Sequence, residues 1–373
     1  MHFIDILFIA VAFCYVLFFW WLRWGLNSLK PHSALDLQSN RQAQPSVSVI
    51  IPMHNEEEFI ERTLLALHSQ NYLGQKEFIC VNDRSVDQTG PLVRALCEQN
   101  PEFKYFEIPQ DAPKVSSPKK RALELGFKNA QGQIWMTMDA DCMPPVGWMK
   151  SMIMRFEPHI DIVQGPKKII GTESLIHSFQ KLDTLGFTTI EAAFFAWQKP
   201  MLASAPSLGY RREVFEKVHG FEGLEDLESG DDDMLVQKMS RVAHGVTYNA
   251  DADAQVGTAP VDSWRALFSQ RARWASNGAT YDNKMYVILL LCIYMVFILL
   301  FFGPLLICFD LMSLWVYAAI VAIKMTTDFV FIYKGAQILR SQDLLKWFPF
   351  VFFIQIPLIV WAGIAGRMKW YKW

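Results

Sequence analysis

The sequence predicts an α/β domain with a doubly wound sheet, carried between membrane-spanning helices. Three observations predict it. Two strand-then-acid-then-helix units follow one another near residues 47–70 and 78–95, the pattern of a parallel sheet with crossover helices. A third apolar run, Trp135-Met136-Thr137-Met138, ends abruptly in Asp139-Ala140-Asp141. Long apolar segments flank this mixed-composition middle on both sides.

The chain has 373 residues, 52% hydrophobic and with 13 Trp, which is too apolar for a wholly soluble protein. Residues 3–22 hold one acid, Asp5, and no base, and nearly everything in 286–366 is apolar. Each stretch reaches the ~20 residues that a spanning helix needs. The roughly 240 residues between them suffice for one large domain. A formal net charge of −2 speaks against nucleic acid as a partner. Six Cys are scattered without a CxxC pair, so neither a disulfide framework nor a zinc site is expected and the middle domain fits a reducing compartment.

The first apolar segment is too long for a signal peptide, has no preceding Lys or Arg and no small-residue cleavage site. Residues 1–24 therefore read as a retained anchor and 25–45 as a polar, Pro-bounded linker. Arg23, Lys30 and Arg41 follow the anchor and place the middle domain, 46–282, in the cytosol by the positive-inside bias. Trp20, Trp21 and Trp24 suit the interface.

Within that domain, residues 47–52 read as a strand, and His54-Asn55-Glu56-Glu57-Glu58 opens a helix running to about Gln70. Phe78-Ile79-Cys80-Val81 is a second strand, ending in Asn82-Asp83-Arg84-Ser85 before Asp87 and another helix. The third strand is bounded by Gln131-Gly132-Gln133 and Pro144-Pro145. Its acids thus stand at a strand's C-terminal end, where open α/β sheets bind ligands. Two Asp with one residue between them can converge on a hard divalent cation such as Mg²⁺ or Mn²⁺, although an Asp turn or helix cap would also place acids there. No GxGxxG or GxxxxGK[ST] is present, so neither a dinucleotide site nor a P-loop is supported.

The chain resembles the membrane-bound family 2 glycosyltransferases, which have a GT-A fold and share a scaffold with ceramide glucosyltransferases and the cellulose, chitin and hyaluronan synthases. The resemblance rests on five stretches in order across residues 47–274. They are Val49-Ile50-Ile51-Pro52-Met53-His54-Asn55-Glu56-Glu57, Val81-Asn82-Asp83-Arg84-Ser85-Val86-Asp87-Gln88-Thr89, Asp139-Ala140-Asp141, Gly230-Asp231-Asp232-Asp233-Met234-Leu235 and Gln270-Arg271-Ala272-Arg273-Trp274. The last matches the family's QxxRW motif in full.

This resemblance implies a nucleotide-sugar site formed by Pro52, His54, Glu56, Asp83, Lys119, Asp139, Gln270 and Arg273. Asp83 matches the second Asp of a DDGS pattern and would bind the base, while Asn82 and Arg84 depart from that pattern and put base preference in doubt. Lys119 stands where the family has a GK pair and would meet the diphosphate. A solvated basic helix start explains Pro118-Lys119-Lys120-Arg121 as well. Asp141 would ligate a divalent cation, Mg or Mn, with Asp139 near the metal and the ribose. Asp232, in the position of a TED or GDD triplet, would be the general base, although spacing alone does not separate it from Asp231. The same acids would also cap a helix over 234–241. Arg273 would face the diphosphate and Trp274 would stack on the acceptor. Residues 263–281 also fit an amphipathic helix on the membrane face. Residues 205–212 and Gly220-Phe221 resemble an acceptor-side segment without an assigned role.

Apolar runs near 286–309, 312–333 and 347–366 give about three C-terminal spans within 285–366, with Asp310 and Pro304 marking the first turn. Lys324 and Asp328 lie four residues apart inside the second span, a pairing that lowers the cost of burying either. Three spans would leave the tail 367–373 outside, yet Arg367, Lys369 and Lys372 prefer the inside, with Trp370 and Trp373 suited to headgroup level.

The resulting expectation is an inverting, metal-dependent hexosyltransferase moving a sugar from a nucleotide sugar, UDP-sugar preferred, to a lipid or lipid-linked acceptor. Its setting would be a bacterial cytoplasmic membrane, as a multi-pass protein with a cytosolic catalytic domain. A processive polysaccharide synthase is the alternative enzyme, for which the C-terminal region offers few spans to build a polymer channel. A membrane transporter or receptor with a nucleotide-binding domain is the non-enzyme alternative.

Overall fold

The structure, a computed structural model, describes residues 2–29, 44–276, 281 and 283–371. Lys30, Arg41, Lys372 and Trp373, on which part of the topology expectation rests, lie outside the described residues, as do most of the linker and parts of 277–282.

From the N-terminus, helix α1 (Phe3–Gly25) precedes strand β1 (Val47–Met53), α2 (Ile60–His68), β2 (Lys76–Asp83), α3 (Thr89–Gln99) and β3 (Phe103–Ile108). Next come α4 (Pro118–Asn129), β4 (Ile134–Thr137), β5 (Cys142–Met143), α5 (Trp148–Ile153), β6 (Ile162–Gln164), β7 (Lys167–Ile169) and α6 (Leu175–Ala196). They are followed by β8 (Leu208–Arg211), α7 (Arg212–Lys217), α8 (Asp233–Ser240), β9 (Val246–Tyr248) and β10 (Val256–Thr258). The chain then forms α9 (Trp264–Ser276), α10 (Lys284–Cys308), α11 (Leu314–Ile338) and α12 (Phe348–Arg367).

Two compact units result, one of residues 28–170 and 190–259 and the other of 1–27, 171–189 and 260–373. The first is the expected doubly wound mixed sheet. Its seven strands run β3-β2-β1-β4-β8-β6-β9. β1 pairs in parallel with β2 and β4, so the crevice between β1 and β4 is a topological switch point. β8 enters antiparallel to both β4 and β6. Every residue of β1 is buried, as a central parallel strand requires. Phe78 and Phe103 stack at 4.6 Å, and Phe127 stacks on Trp135 at 5.0 Å. A three-stranded sheet, β5-β10-β7, lies beyond the end of β4.

The helix expected from His54 begins only at Ile60 and stops at His68. Asn55 has φ +55°, which no helix continues through, and its side chain is used elsewhere. Its Oδ1 accepts from the Val86 amide at 2.9 Å, while its own amide donates to Ser85 Oγ at 2.9 Å. The loops after β1 and β2 are therefore clasped together.

Among the described residues, the second unit carries four helices long and apolar enough to cross a membrane, residues 3–28, 284–308, 314–338 and 342–367. α1 and α11 run parallel: the Ser313 amide donates to Asp5 Oδ1 at 2.9 Å, and Tyr15 OH donates to Asp328 Oδ1 at 2.6 Å. Lys324 and Asp328 are buried and paired at 2.6 Å, with the ammonium over the rings of Phe297 and Phe352 at 4.4 and 4.7 Å. Only Asp310, with φ +54°, marks the first turn. Pro304 sits inside α10, four residues from its end, and the Leu300 carbonyl that it frees accepts from Tyr317 OH on α11 at 3.0 Å. α12 closes on α9 through Gly366, where a Cβ would stand 2.6 Å from the Ala272 carbonyl oxygen.

Candidate functional site

The acids of the first unit gather just beyond the C-terminal ends of β1, β2 and β4. Asp83 is the last residue of β2 and is buried. Its Oδ1 accepts from Arg84 Nε and from Arg121 Nη2, each at 2.7 Å, while its Oδ2 is buried with no partner among the described residues. It does not cap the next helix. The N-cap there is Gln88, and the Thr89 amide of the first turn donates to Asp87 Oδ1 at 3.0 Å. A buried carboxylate oxygen without a donor is costly, and an N–H of a bound base would satisfy it. His54 Nδ1 lies 2.6 Å from the Asp83 carbonyl oxygen, and Pro52 is buried in β1 beneath it. Arg84 has φ +56°, a conformation natural to the glycine of a DDGS pattern and strained for arginine.

Asp139 and Asp141 follow β4 in a turn in which the Cys142 amide donates to the Asp139 carbonyl at 3.1 Å. Carboxylate oxygens of both and the Cys142 sulfur lie within 4.8 Å of one another. The sulfur is not a ligand for a hard cation. Burial first, then Asp141, pushes its thiol well above the usual range, and it donates to Asp141 Oδ1 at 3.1 Å. Thr258 Oγ1, on β10, donates to Asp141 Oδ2 at 3.2 Å. Burial, then the Asp139 charge, raises the Asp141 carboxyl. Glu56 faces the pair and is pushed up to about 8, by burial first and then by Asp141 and Asp139. Asp139 and Asp141, with Glu56 facing them, form an all-oxygen donor set that fits an oxygen-seeking divalent cation, for which Asp139 and Asp141 would be the ligands.

Lys119, in the first turn of α4, joins this group to the acidic triplet. Its Nζ stands 2.8 Å from Asp139 Oδ1 and 2.9 Å from Asp231 Oδ2. Burial, which opposes its charge, is outweighed by Asp139, Asp231 and Asp232, so the ammonium is held well above the usual lysine range. It is no solvated helix start. Neighbouring Lys120 is buried and donates to the Leu224 and Leu227 carbonyls at 2.6 and 2.7 Å, which pins the segment leading to the triplet.

The two central acids of Gly230-Asp231-Asp232-Asp233 differ in environment. Burial pushes the Asp231 carboxyl up, but Lys119 more than offsets this and its pKa falls. Asp232 is raised, by burial first and then by the Asp231 charge. It is the N-cap of α8: its Oδ1 accepts from the Asp233 amide at 2.8 Å and its Oδ2 from the Ala205 amide at 3.3 Å. Gly230 has φ +90°, and a Cβ there would meet Met234 at 2.9 Å, so the triplet needs its glycine. The helix cap foreseen from the sequence is therefore present, and it presents one ionised and one raised carboxyl side by side.

Several supporting residues carried no motif. Thr137 Oγ1 donates to the Ala205 carbonyl at 2.8 Å, tying the strand of Asp139 to the peptide that meets Asp232. Gln164, fully buried, accepts from the Ser204 amide at 3.2 Å and donates to the Ser204 and Ser207 carbonyls. Ser204 Oγ donates to the buried Glu191, raised mainly by its burial.

Gln270, Arg273 and Trp274 belong to the second unit, on α9. The buried face of that helix is Leu267, Arg271 and Ala272. Arg271 was not singled out by the sequence, yet it pairs with buried Asp183 at 2.7 Å and lies 4.2 Å from the Trp274 ring centroid.

A family model described as Glycosyl transferase family 2 matches residues 48–219. Among curated relatives, the chain is 27% identical over 243 residues to "Probable glycosyltransferase YdaM" of Bacillus subtilis, covering 64% of this chain and 56% of the relative. It is 26% identical over 256 residues to a poly-beta-1,6-N-acetyl-D-glucosamine synthase of Staphylococcus epidermidis, covering 67% and 58%. The match thus spans less than two-thirds of the length of either relative. In fold, the chain is similar to the mannosyltransferase PcManGT of Pyrobaculum calidifontis, solved in complex with GDP-Man and Mn²⁺. The TM-score is 0.60 at 18% identity, covering 98% of this chain and 99% of that one.

Proposed function

We propose that the chain, whose residues 48–219 match the glycosyl transferase family 2 model, is a metal-dependent, inverting transferase of that family acting on a lipid or lipid-linked acceptor at a membrane. One observation carries the reading: Lys119 links Asp139 to Asp231, so that the cation-binding acids and the acidic triplet form one cluster at the switch point of the sheet. The bound mannosyl nucleotide and Mn²⁺ of the structural neighbour support a nucleotide sugar and a divalent cation as the occupants.

In this reading the unsatisfied Asp83 Oδ2 accepts an N–H from the base, a UDP-sugar being preferred. Asp139 and Asp141 would hold a divalent cation, which would supply positive charge to offset the charge building on the leaving diphosphate. Lys119 adds a second positive charge beside it. Asp232, whose raised pKa suits proton acceptance, takes the proton from the acceptor hydroxyl as that oxygen bonds to the anomeric carbon. The bond from that carbon to the diphosphate oxygen breaks, and the electron pair leaves with the nucleoside diphosphate. A single displacement of this kind inverts the anomeric centre. Gln270 and Arg273 are assigned to the diphosphate and Trp274 to the acceptor, by resemblance to the family motif.

The relation to a poly-beta-1,6-N-acetyl-D-glucosamine synthase favours a second reading, processive addition of N-acetylglucosamine. A bacterial cytoplasmic membrane with the catalytic domain on the cytosolic face suits either. The test is a panel of UDP-GlcNAc, UDP-Glc and GDP-Man with Mn²⁺, membranes containing the chain and a total lipid extract, read by mass spectrometry. One sugar added to a lipid supports single transfer, and a ladder of additions supports the synthase. Nucleotide binding without any glycosylated product from any donor would overturn both.

A further inference from the structure

Arg271 occupies a variable position of the QxxRW motif, yet its guanidinium is the centre of a buried network. Nε and Nη2 donate to Asp183 Oδ2 at 3.0 and 2.7 Å, and Nη1 donates to Gln270 Oε1 at 2.6 Å. Its face lies over the Trp274 indole, 4.2 Å from the ring centroid, and Phe187 meets the same indole edge-on at 6.0 Å. Asp183 is buried on α6, and its Oδ1 accepts from Gln355 Nε2, on α12, at 3.3 Å.

We propose that Arg271, fixed by Asp183, is a positioning residue that sets the orientation of both Gln270 and Trp274. The proposal rests on the reading above, in which Gln270 meets the donor diphosphate and Trp274 the acceptor. Arginine carries five donors and no acceptor, so the end of the Gln270 carboxamide that faces it must be the oxygen. The NH₂ end is thereby left for an anion, the polarity that a diphosphate contact requires. The rigid planar fork does this while its π-face supports the indole, which keeps 36% of its surface exposed. A lysine would retain the charge toward Asp183 but could not hold both neighbours in plane. An ion pair serving only the packing of α6 against α9 would need neither contact.

The full chain is tested as Arg271→Lys, alone and combined with Gln270→Ala or Trp274→Ala. The readouts are the Kd of UDP with Mn²⁺, the KM for a bacterial total lipid extract as acceptor, and the Tm. Arg271→Lys is expected to raise both the Kd and the KM on the order of tenfold, with Tm close to wild type. The Kd effect should vanish in the Gln270→Ala background and the KM effect in the Trp274→Ala background. Asp183→Asn, which keeps size and hydrogen bonding, should reproduce the pattern more weakly and serves if Arg271→Lys does not fold. Full additivity in both backgrounds, or a fall in Tm with Kd and KM unchanged, would overturn the proposal alone. If Gln270→Ala and Trp274→Ala themselves leave Kd and KM at wild-type values, the assignment of those two residues falls and the proposal falls with it.

Discussion

Asp232→Asn separates a helix cap from a base, because asparagine caps a helix about as well as aspartate. The wild-type carboxyl accepts one hydrogen bond at each oxygen, from the Asp233 and Ala205 amides. An amide has one oxygen, so the variant keeps the shorter bond to Asp233 and turns its NH₂ toward the Ala205 N–H. One hydrogen bond at 3.3 Å is thus lost, worth about 1 kcal/mol of stability. Loss of a general base costs a factor on the order of 10² to 10⁴ in turnover, or about 3–5 kcal/mol of barrier. Catalysis should therefore fall far more than stability. Turnover of labelled donor by detergent-solubilised protein, beside a thermal melt and a UDP–Mn²⁺ titration, measures all three quantities. The expected result is a loss of kcat in that range with nucleotide affinity nearly unchanged. Asp231→Asn should instead disturb Lys119, whose Nζ is 2.9 Å from it, and weaken nucleotide binding. If Asp232→Asn keeps turnover within about threefold of wild type while Asp231→Asn is inactive, the base is Asp231.

Three further outcomes are expected. Asp83→Asn should raise the Kd for UDP on the order of tenfold, since an amide in place of the unpaired Oδ2 presents a donor to the base N–H; unchanged affinity would remove Asp83 from the base site. Lys324→Met should destabilise the helical unit by about 3–5 kcal/mol by stranding the buried Asp328 charge, whereas Y15F/K324M/D328L should recover most of it in a detergent melt; equal losses would mean that the pair is incidental. Tyr371 OH donates to Ser276 Oγ at 3.3 Å, so a cysteine at 371 should be labelled from the same side of sealed membranes as one at the exposed position 265 of α9; labelling from opposite sides would contradict a tail seated on α9.

Strands β1, β2 and β4 were legible because each is an apolar run cut off by polar residues, the signature of a strand buried on both faces, whereas the edge strand β3 mixes charged with apolar residues and was not foreseen. β5 to β10 are two to four residues long and carry no alternation, so only tertiary pairing defines them. Asp139, Asp141 and the acidic triplet were legible as acids in costly places. Lys119 was singled out by the resemblance alone, since composition does not separate it from Lys120 until the helix is placed and the two side chains part. Thr258 supports Asp141 from β10, 117 residues away, and no local pattern links the two. Asp183 and Glu191 did leave a signal, each a lone acid in the apolar helix 175–196, but their partners Arg271 and Ser204 are 88 and 13 residues away. Pro304 misled because a helix long enough to span a membrane tolerates proline where a soluble helix would end.

The account stands most directly on the release of nucleoside diphosphate from labelled UDP-sugar and GDP-mannose by the purified full chain, with and without a divalent cation. The predicted result is release that stops with EDTA, returns with Mn²⁺ or Mg²⁺, and is absent from Asp141→Asn under every condition. Undiminished release in EDTA, or Asp141→Asn with wild-type metal-stimulated turnover, would contradict it.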